Sequence, residues 1–447
     1  MKKQFSKQNP RILKHNNKLV FLVFSLLLLF SYLAHFWLIF TTSVDIPYRD
    51  DWQLIDARIS QSLPLTWLLS PHNEHPILTT KLTIWILYML NSWNIKVHLV
   101  FNFITFGSII LLLFLLLHQH VPVKLQPLCC LTLFPLLSSL GWENHTWALQ
   151  GSFHYCLLGI LLAIKLLFNH KLSYWRITLG SISLLFAAFS LAAGVAAVAV
   201  ILLLLGINSA YPNFSKTESA SDRTNLFFVV LFVLGPILIW HSHFARAPVH
   251  SLPSISPFEW RFWQFFLNLV SFGFGFETYS ALLGGFCFLM TLLPAALLLV
   301  CVTRSSKQFP WDLIALQCAV FALLAAISFG RGGHAEIEIW SKGVRYWEFA
   351  YLLVPITGIL YGYLLQNSAQ NFEKLFLLLL ISCAYLGHSN NLDFSIYKWI
   401  SSEKKKGVSC IEQHFHSGAP QICPSVWSEN ISEKSALAKR LGLFFIQ

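Results

Sequence analysis

A chain of 447 residues that is 55% hydrophobic and only 11% charged cannot clothe a soluble globule, whose composition draws on about 25% charged residues. Its apolar residues fall in blocks of roughly 15 to 25, the length that crosses a bilayer, so one all-α, membrane-embedded domain is expected rather than several soluble ones. The formal net charge is +11, but Lys2, Lys3, Lys7, Arg11, Lys14 and Lys18 stand directly before the first apolar run, where basic residues orient a span beside anionic headgroups; this pattern does not ask for nucleic acid.

The run 19–40 is too long for the core of a secretory signal and reads as an uncleaved first span with a cytoplasmic N-terminus. A first outer loop follows at 41–96. Within it, 77–90 is half-apolar and carries Trp85 and Tyr88, which predicts a helix lying in the outer interface. If that segment crossed, every later loop would invert, placing Lys171 and Arg176 outside and Trp142-Glu143-Asn144-His145 inside. Ten more spans are expected at 97–117, 126–140, 152–168, 177–190, 194–206, 225–240, 280–301, 311–329, 346–365 and 372–387. The third is short, and the fifth and sixth turn tightly at Leu191-Ala192-Ala193-Gly194. Lys124, Lys171, Arg176, Lys216, Arg223, Arg304, Lys307 and Lys374 then sit in cytoplasmic loops, as the positive-inside rule asks. All acidic residues except Glu218, Asp222, Asp312 and Glu373 fall outside or at the outer rim. Residues 1–388 thus form the transmembrane domain, and 389–447 a short outer tail.

Three acidic, aromatic-flanked clusters mark that outer face: Pro47-Tyr48-Arg49-Asp50-Asp51-Trp52, Pro71-His72-Asn73-Glu74-His75-Pro76, and Trp142-Glu143-Asn144-His145-Thr146-Trp147. Adjacent aspartates near a membrane surface repel each other and need a cation, a proton or a partner; the plainer reading is a solvated loop with helix-capping aspartates. A fourth cluster brings opposite charge, with Arg331 and His334 before the tenth span and Arg345-Tyr346 at its start. The planar guanidinium fork suits phosphate, although arginines at an interface also snorkel to headgroups. No strand–helix unit surrounds Gly330, Gly332 and Gly333, which excludes a nucleotide-binding glycine loop.

In this order the motifs resemble the GT-C superfamily of membrane glycosyltransferases, which take sugars from polyprenyl-phosphate donors. Asp50-Asp51 stands where that family keeps an acidic pair in its first loop, Glu74-His75-Pro76 resembles the Glu-Pro-Pro element of aminoarabinose and mannosyl transferases, and Glu143 falls where a later acid is expected. The resemblance covers the first 170 residues and the 330–350 region. His75 departs from the family's first proline, and the tail is too short for the large soluble domain of an oligosaccharyltransferase.

The resemblance implies an inverting hexosyl or pentosyl transferase of a bacterial inner membrane. It would act on the periplasmic face and move a sugar to a lipid, glycan or protein acceptor. Asp50 is the first choice of general base and Asp51 the second. Arg331 and Arg345 would steady the leaving phosphate, with His334 and Tyr346 as hydrogen-bond partners. Glu74, His75 and Glu143 would hold the substrate, and the carboxylates among them suit a hard divalent cation such as magnesium or manganese. No organic cofactor is implied. Two other readings carry different expectations. A transporter or flippase for a lipid-linked substrate needs ionisable residues along a path through the spans. A non-catalytic scaffold leaves the outer acids without a role.

Seven of the nine cysteines lie in apolar runs and show no metal-ligand spacing. Cys410 and Cys423 lie in the tail around Gly418, Ala419 and Pro420 and are expected to form a disulfide if the tail is periplasmic. A cytoplasmic tail would leave them as free thiols.

Overall fold

A computed structural model describes residues 10–73, 75–168, 173–210, 220–244, 254–277, 279–304, 309–333, 344–367 and 371–443. Glu74 and His334 lie outside the described residues, as do Lys171, Lys216 and Lys307. Nine helices among the described residues are long and apolar enough to cross a membrane, which makes this a multi-pass helical membrane protein.

The chain enters through α1 (Pro10–Thr42). Leu22, Leu26, Leu29, Phe30 and Leu33 are exposed along it, and only a thin stripe containing Leu28, His35 and Ile39 is buried. The first loop is folded. It forms 3₁₀ turns at Arg49–Leu54 and Ala57–Ser60, then α2 (Leu65–Leu69) and α3 (Leu78–Asn91). At about 1.5 Å per residue α3 reaches about 21 Å, well short of a hydrocarbon core of about 30 Å. Its buried Lys81 donates to the carbonyls of Trp67 at 2.9 Å and Ser70 at 2.7 Å, tying α3 to the end of α2.

After α4 (Ile95–His120) the expected third span at 126–140 is not a continuous helix. A single turn of α5 (Gln126–Cys130) passes into 3₁₀ turns at Leu131–Leu137 and Ser139–Gly141, and then into α6 (Trp142–Thr146). Pro135 lacks a backbone donor within this stretch and favours the break. Cys129, Cys130, Leu133 and Leu136 are buried all the same, so the segment is held by protein on its sides. Next come α7 (Gly151–Leu167), α8 (Tyr174–Ala188) and α9 (Ala192–Ala210). The fifteen residues of α8 also fall short of a span by length. The broken segment and α8 account for the difference between eleven expected spans and nine found.

The second half holds α10 (Ala220–Phe244), α11 (Trp260–Gly273), α12 (Ala281–Arg304), α13 (Trp311–Arg331), α14 (Val344–Tyr351), α15 (Leu353–Asn367) and α16 (Asn371–His388). The amphipathic helix α11 has no counterpart among the expected spans. Phe262, Phe265, Phe266, Leu269 and Phe272 recur at helical spacing and all are buried. The spans differ in depth within the bundle: 94% of the α14–α15 window and 78% of the α7 window are buried, against 11% for α1 and 22% for α10. Helices α7, α14 and α15 are therefore the centre, and α1 and α10 the rim.

The tail is not the loose polar segment its composition suggests. It folds as α17 (Ser395–Ser417), an antiparallel pair β1 (Ile422–Cys423) and β2 (Trp427–Asn430), and α18 (Ser432–Arg440). A disulfide joins Cys410 to Cys423. Ile400, Ile411, Val426, Trp427 and Ile431 share a second apolar core with Tyr48, Trp52, Ile55, Trp67 and Ile84 of the first loop. First loop and tail are one small cap on the bundle.

Candidate functional site

Several of the cap's acidic residues hold its backbone in place. Asp45 accepts from the Ile95 N–H at 2.6 Å at the start of α4. Asp56 pairs with Arg58 at 2.7 Å. Asp51, a candidate base by sequence, is fully buried. Its Oδ1 accepts from the Leu149 N–H at 2.8 Å and its Oδ2 from the Tyr48 N–H at 3.1 Å. One carboxylate thus closes its own 3₁₀ turn and fastens the turn that leads into α7.

Burial raises the Asp51 carboxyl to about 7, opposed by those backbone donors and by Lys404. Lys404 is itself buried in α17, where it donates to the Thr146 carbonyl and stands 5.2 Å from the Tyr48 ring centroid. Burial lowers its ammonium to about 8, opposed by Asp51 and Asp45. Asp51 and Lys404 are thus two buried groups of opposite charge that act on each other across the joint of first loop and tail.

Asp50 is different. It is only partly buried, and its carboxylate acts electrostatically on Arg345. The preceding Arg49 adopts a left-handed backbone (φ 51°) and donates its N–H to the Val426 carbonyl of the tail at 2.6 Å. A non-glycine residue in this region costs about 1–3 kcal/mol, so surrounding contacts must hold it there.

The structure links five residues singled out in sequence, Arg345, Tyr346, Arg331, His75 and Glu143, and Asp50 acts on the first of them. The Arg345 guanidinium lies 5.6 Å from the Trp147 ring centroid and 5.4 Å from that of Tyr346. Arg345 and Arg331 both act electrostatically on the Tyr346 hydroxyl. Arg331 Nη2 is 3.5 Å from His75 Nε2. His75 is held by a tight bridge in which its N–H and that of His72 each donate to the other's carbonyl, at 2.9 and 3.0 Å, with Asn73 at φ 51° between them. Glu143 Oε2 accepts from the Arg345 N–H at 3.2 Å. That makes Glu143 partly a cap for α14, because first-turn N–H groups have no partner within a helix. Burial raises its carboxyl, and Arg345 and Arg49 oppose the shift. The result is a rim of two guanidiniums and a phenol flanked by carboxylates, a set that suits an anionic, oxygen-rich group with a proton acceptor beside it.

Beneath this rim lies a buried polar cluster that sequence reasoning missed. Glu348, one turn after Arg345, meets His154 Nε2 at 2.8 Å and the Asn144 side-chain amide. Asn144 also donates to the Arg345 carbonyl at 3.0 Å. His145 joins through Tyr397, whose hydroxyl is 2.9 Å from His145 Nδ1 and 2.8 Å from His35 Nε2. The signal was weak because these residues come from α1, α6, α7, α14 and α17. Glu348, an acid four positions into a buried apolar helix, was the one visible sign.

Searches against protein-family models, curated proteins and solved structures find no match to this chain.

Proposed function

We propose that this protein is a GT-C-like membrane glycosyltransferase that uses a polyprenyl-phosphate-linked sugar and acts on the face that carries the cap. The observation that supports this most is the meeting of Arg331, Arg345 and Tyr346 with Asp50 and Glu143, drawn from segments nearly 300 residues apart. In this reading the two guanidiniums take the donor phosphate, and their charge stabilises it as it leaves. Asp50 accepts the proton of the acceptor hydroxyl as that oxygen attacks the anomeric carbon, with inversion. Asp51 does not act as the base; it positions Asp50 by fixing the 3₁₀ turn. Glu143 and His75 orient donor or acceptor. The site faces the periplasm of a bacterial inner membrane, and the acceptor is an envelope lipid, glycan or protein. A magnesium or manganese ion at the rim carboxylates is compatible with the reading and not required by it.

The test uses purified protein in proteoliposomes with radiolabelled polyprenyl-phosphate sugar and an envelope lipid extract as acceptor. Label should move to the acceptor, and Asp50→Asn should reduce transfer by about 10²–10⁴-fold, the usual cost of losing a general base. Label that crosses the bilayer still attached to its lipid, equally in wild type and Asp50→Asn, would establish transport instead. Full transfer by Asp50→Asn would remove the proposed base.

A further inference from the structure

Glu348, His145 and His154 are each at least 98% buried, at the junction of α6, α7 and α14. One ligand atom from each lies within 4.8 Å of the other two. The donors around a four-coordinate zinc-class ion stand about 3.3–3.5 Å apart, given bonds of about 2.0–2.2 Å. The observed separations of 2.8 Å for His154 Nε2–Glu348 Oε1 and 3.9 Å for His145 Nε2–Glu348 Oε1 fall on either side of that spacing.

The hydrogen bonds around His145 make the stronger argument. If its Nδ1–H donates to the Tyr397 oxygen, and Tyr397 donates onward to His35, then Nε2 carries a bare lone pair 3.9 Å from a carboxylate. If the chain runs the other way, Nε2 carries the proton, but 3.9 Å is too long for a hydrogen bond. Either direction leaves His145 Nε2 buried and without a hydrogen-bond partner. Phe103 and Phe106 of α4 wall the ring, at 5.1 and 4.9 Å between centroids. A buried polar atom left this way forfeits its hydration with nothing in return. A cation between Nε2 and the carboxylate satisfies both.

We infer that His145, His154 and Glu348 form a binding site for one transition-metal dication of the zinc class. Two imidazole nitrogens and one carboxylate oxygen suit zinc or cobalt rather than magnesium or calcium, which prefer oxygen ligands throughout. Tyr397 supplies the outer contact that metal-binding histidines usually have, fixing the ring with Nε2 toward the ion. On binding, the proton that His154 Nε2 shares with Glu348 moves to the ring's Nδ1, so that His154 stays a neutral imidazole and gives its Nε2 lone pair to the ion. The ion ties α6 to α14, and so sets Glu143 and Arg345 relative to each other. This site does not depend on the glycosyltransferase reading.

The experiment uses full-length protein purified through a non-metal affinity tag, stripped with EDTA, equilibrated with zinc sulfate and passed through gel filtration. Elemental analysis should find about one zinc per chain. Zinc should raise the melting temperature, and EDTA should reverse the rise. Cobalt in its place should give the visible absorption of a four-coordinate nitrogen and oxygen site. His145→Gln and Glu348→Gln should weaken zinc retention by about tenfold or more, whereas His241→Ala, an exposed histidine of α10, should not. Wild-type protein that holds less than about a tenth of a zinc and melts identically with and without it would overturn the site, whatever the variants do. So would undiminished zinc in both His145→Gln and Glu348→Gln, which would place the ion elsewhere.

Discussion

Removing the charge of Asp51 should loosen the whole cap, and the structure sets the size of the effect. In Asp51→Asn one of the two oxygens that accept from Leu149 and Tyr48 becomes an amide that faces an N–H, so one charge-assisted bond is lost at about 1.5–3 kcal/mol. Lys404 also loses the opposite charge nearest to it while staying buried. Breaking a buried pair from one side typically costs about 3–5 kcal/mol, a figure that already contains the lost bond. Stranding Lys404 in Asp51→Asn should therefore cost up to about 3–5 kcal/mol, offset in part because the variant no longer buries a carboxylate whose ionisation the fold disfavours. Lys404→Met should cost a similar amount, because it strands Asp51. The double variant should be less damaging than the sum of the two, with a coupling energy above about 1 kcal/mol, because neither charge is then left alone. Thermal unfolding of the four proteins in the same detergent and pH measures this cycle directly. Strictly additive effects would show that the two residues are not coupled.

The same carboxyl makes stability depend on pH. Burial raises Asp51 from 3.8 to about 7 in the folded chain, so its contribution is fully present below about pH 4 and is lost as pH rises through 7. Asp51→Asn should flatten that part of a melting-temperature profile taken from pH 4 to 8; an unchanged slope would assign it to other groups. Arg345→Lys keeps the charge but loses the planar fork over Trp147, so donor affinity should fall even at low salt. Unaltered affinity in both Arg331→Ala and Arg345→Ala would leave these residues to headgroup contacts. Breaking the Cys410–Cys423 bond should cost about 2–4 kcal/mol. In intact cells, an impermeant thiol reagent should reach those two cysteines only after reduction if the cap lies outside. Labelling that requires permeabilisation would put the cap in the cytoplasm.

The long helices were legible because an apolar run of sufficient length has one stable answer in lipid. The stretch 126–140 was apolar enough to look like a span, but Pro135 and the short helical pieces around it escape a count based on hydropathy alone. The rim residues were legible as charged residues beside aromatic ones at span ends. What each one does was not. Nothing in Asp50-Asp51 says that the second residue faces inward onto backbone donors, since that depends on the turn between Tyr48 and Leu54. The tail carried an overlooked signal. Tyr397, Ile400, Lys404, Gly407 and Ile411 recur at intervals of three and four and are all buried. The run Lys404-Lys405-Lys406 masks that stripe, because only the first of the three lysines faces inward. His35, His154 and Glu348 could not be joined from sequence, since only the packing of distant helices makes them neighbours.

The shared core of first loop and tail also fixes when the site can form. Lys434 donates to the Ile55 carbonyl at 2.9 Å, Tyr88 to the Leu441 carbonyl at 3.3 Å, and Arg49 to Val426. The segment that presents Asp50 is therefore completed by residues made some 350 positions later in synthesis. While the ribosome is still translating the spans, Tyr48, Trp52 and Ile55 have no apolar partner from the tail, and the charge of Asp51 has no Lys404. A chain stopped short of α17 would insert its helices yet display an unfinished, sticky loop, a form that quality-control proteases can recognise. Synthesis of α17 and the strands after it thus gates assembly of the rim.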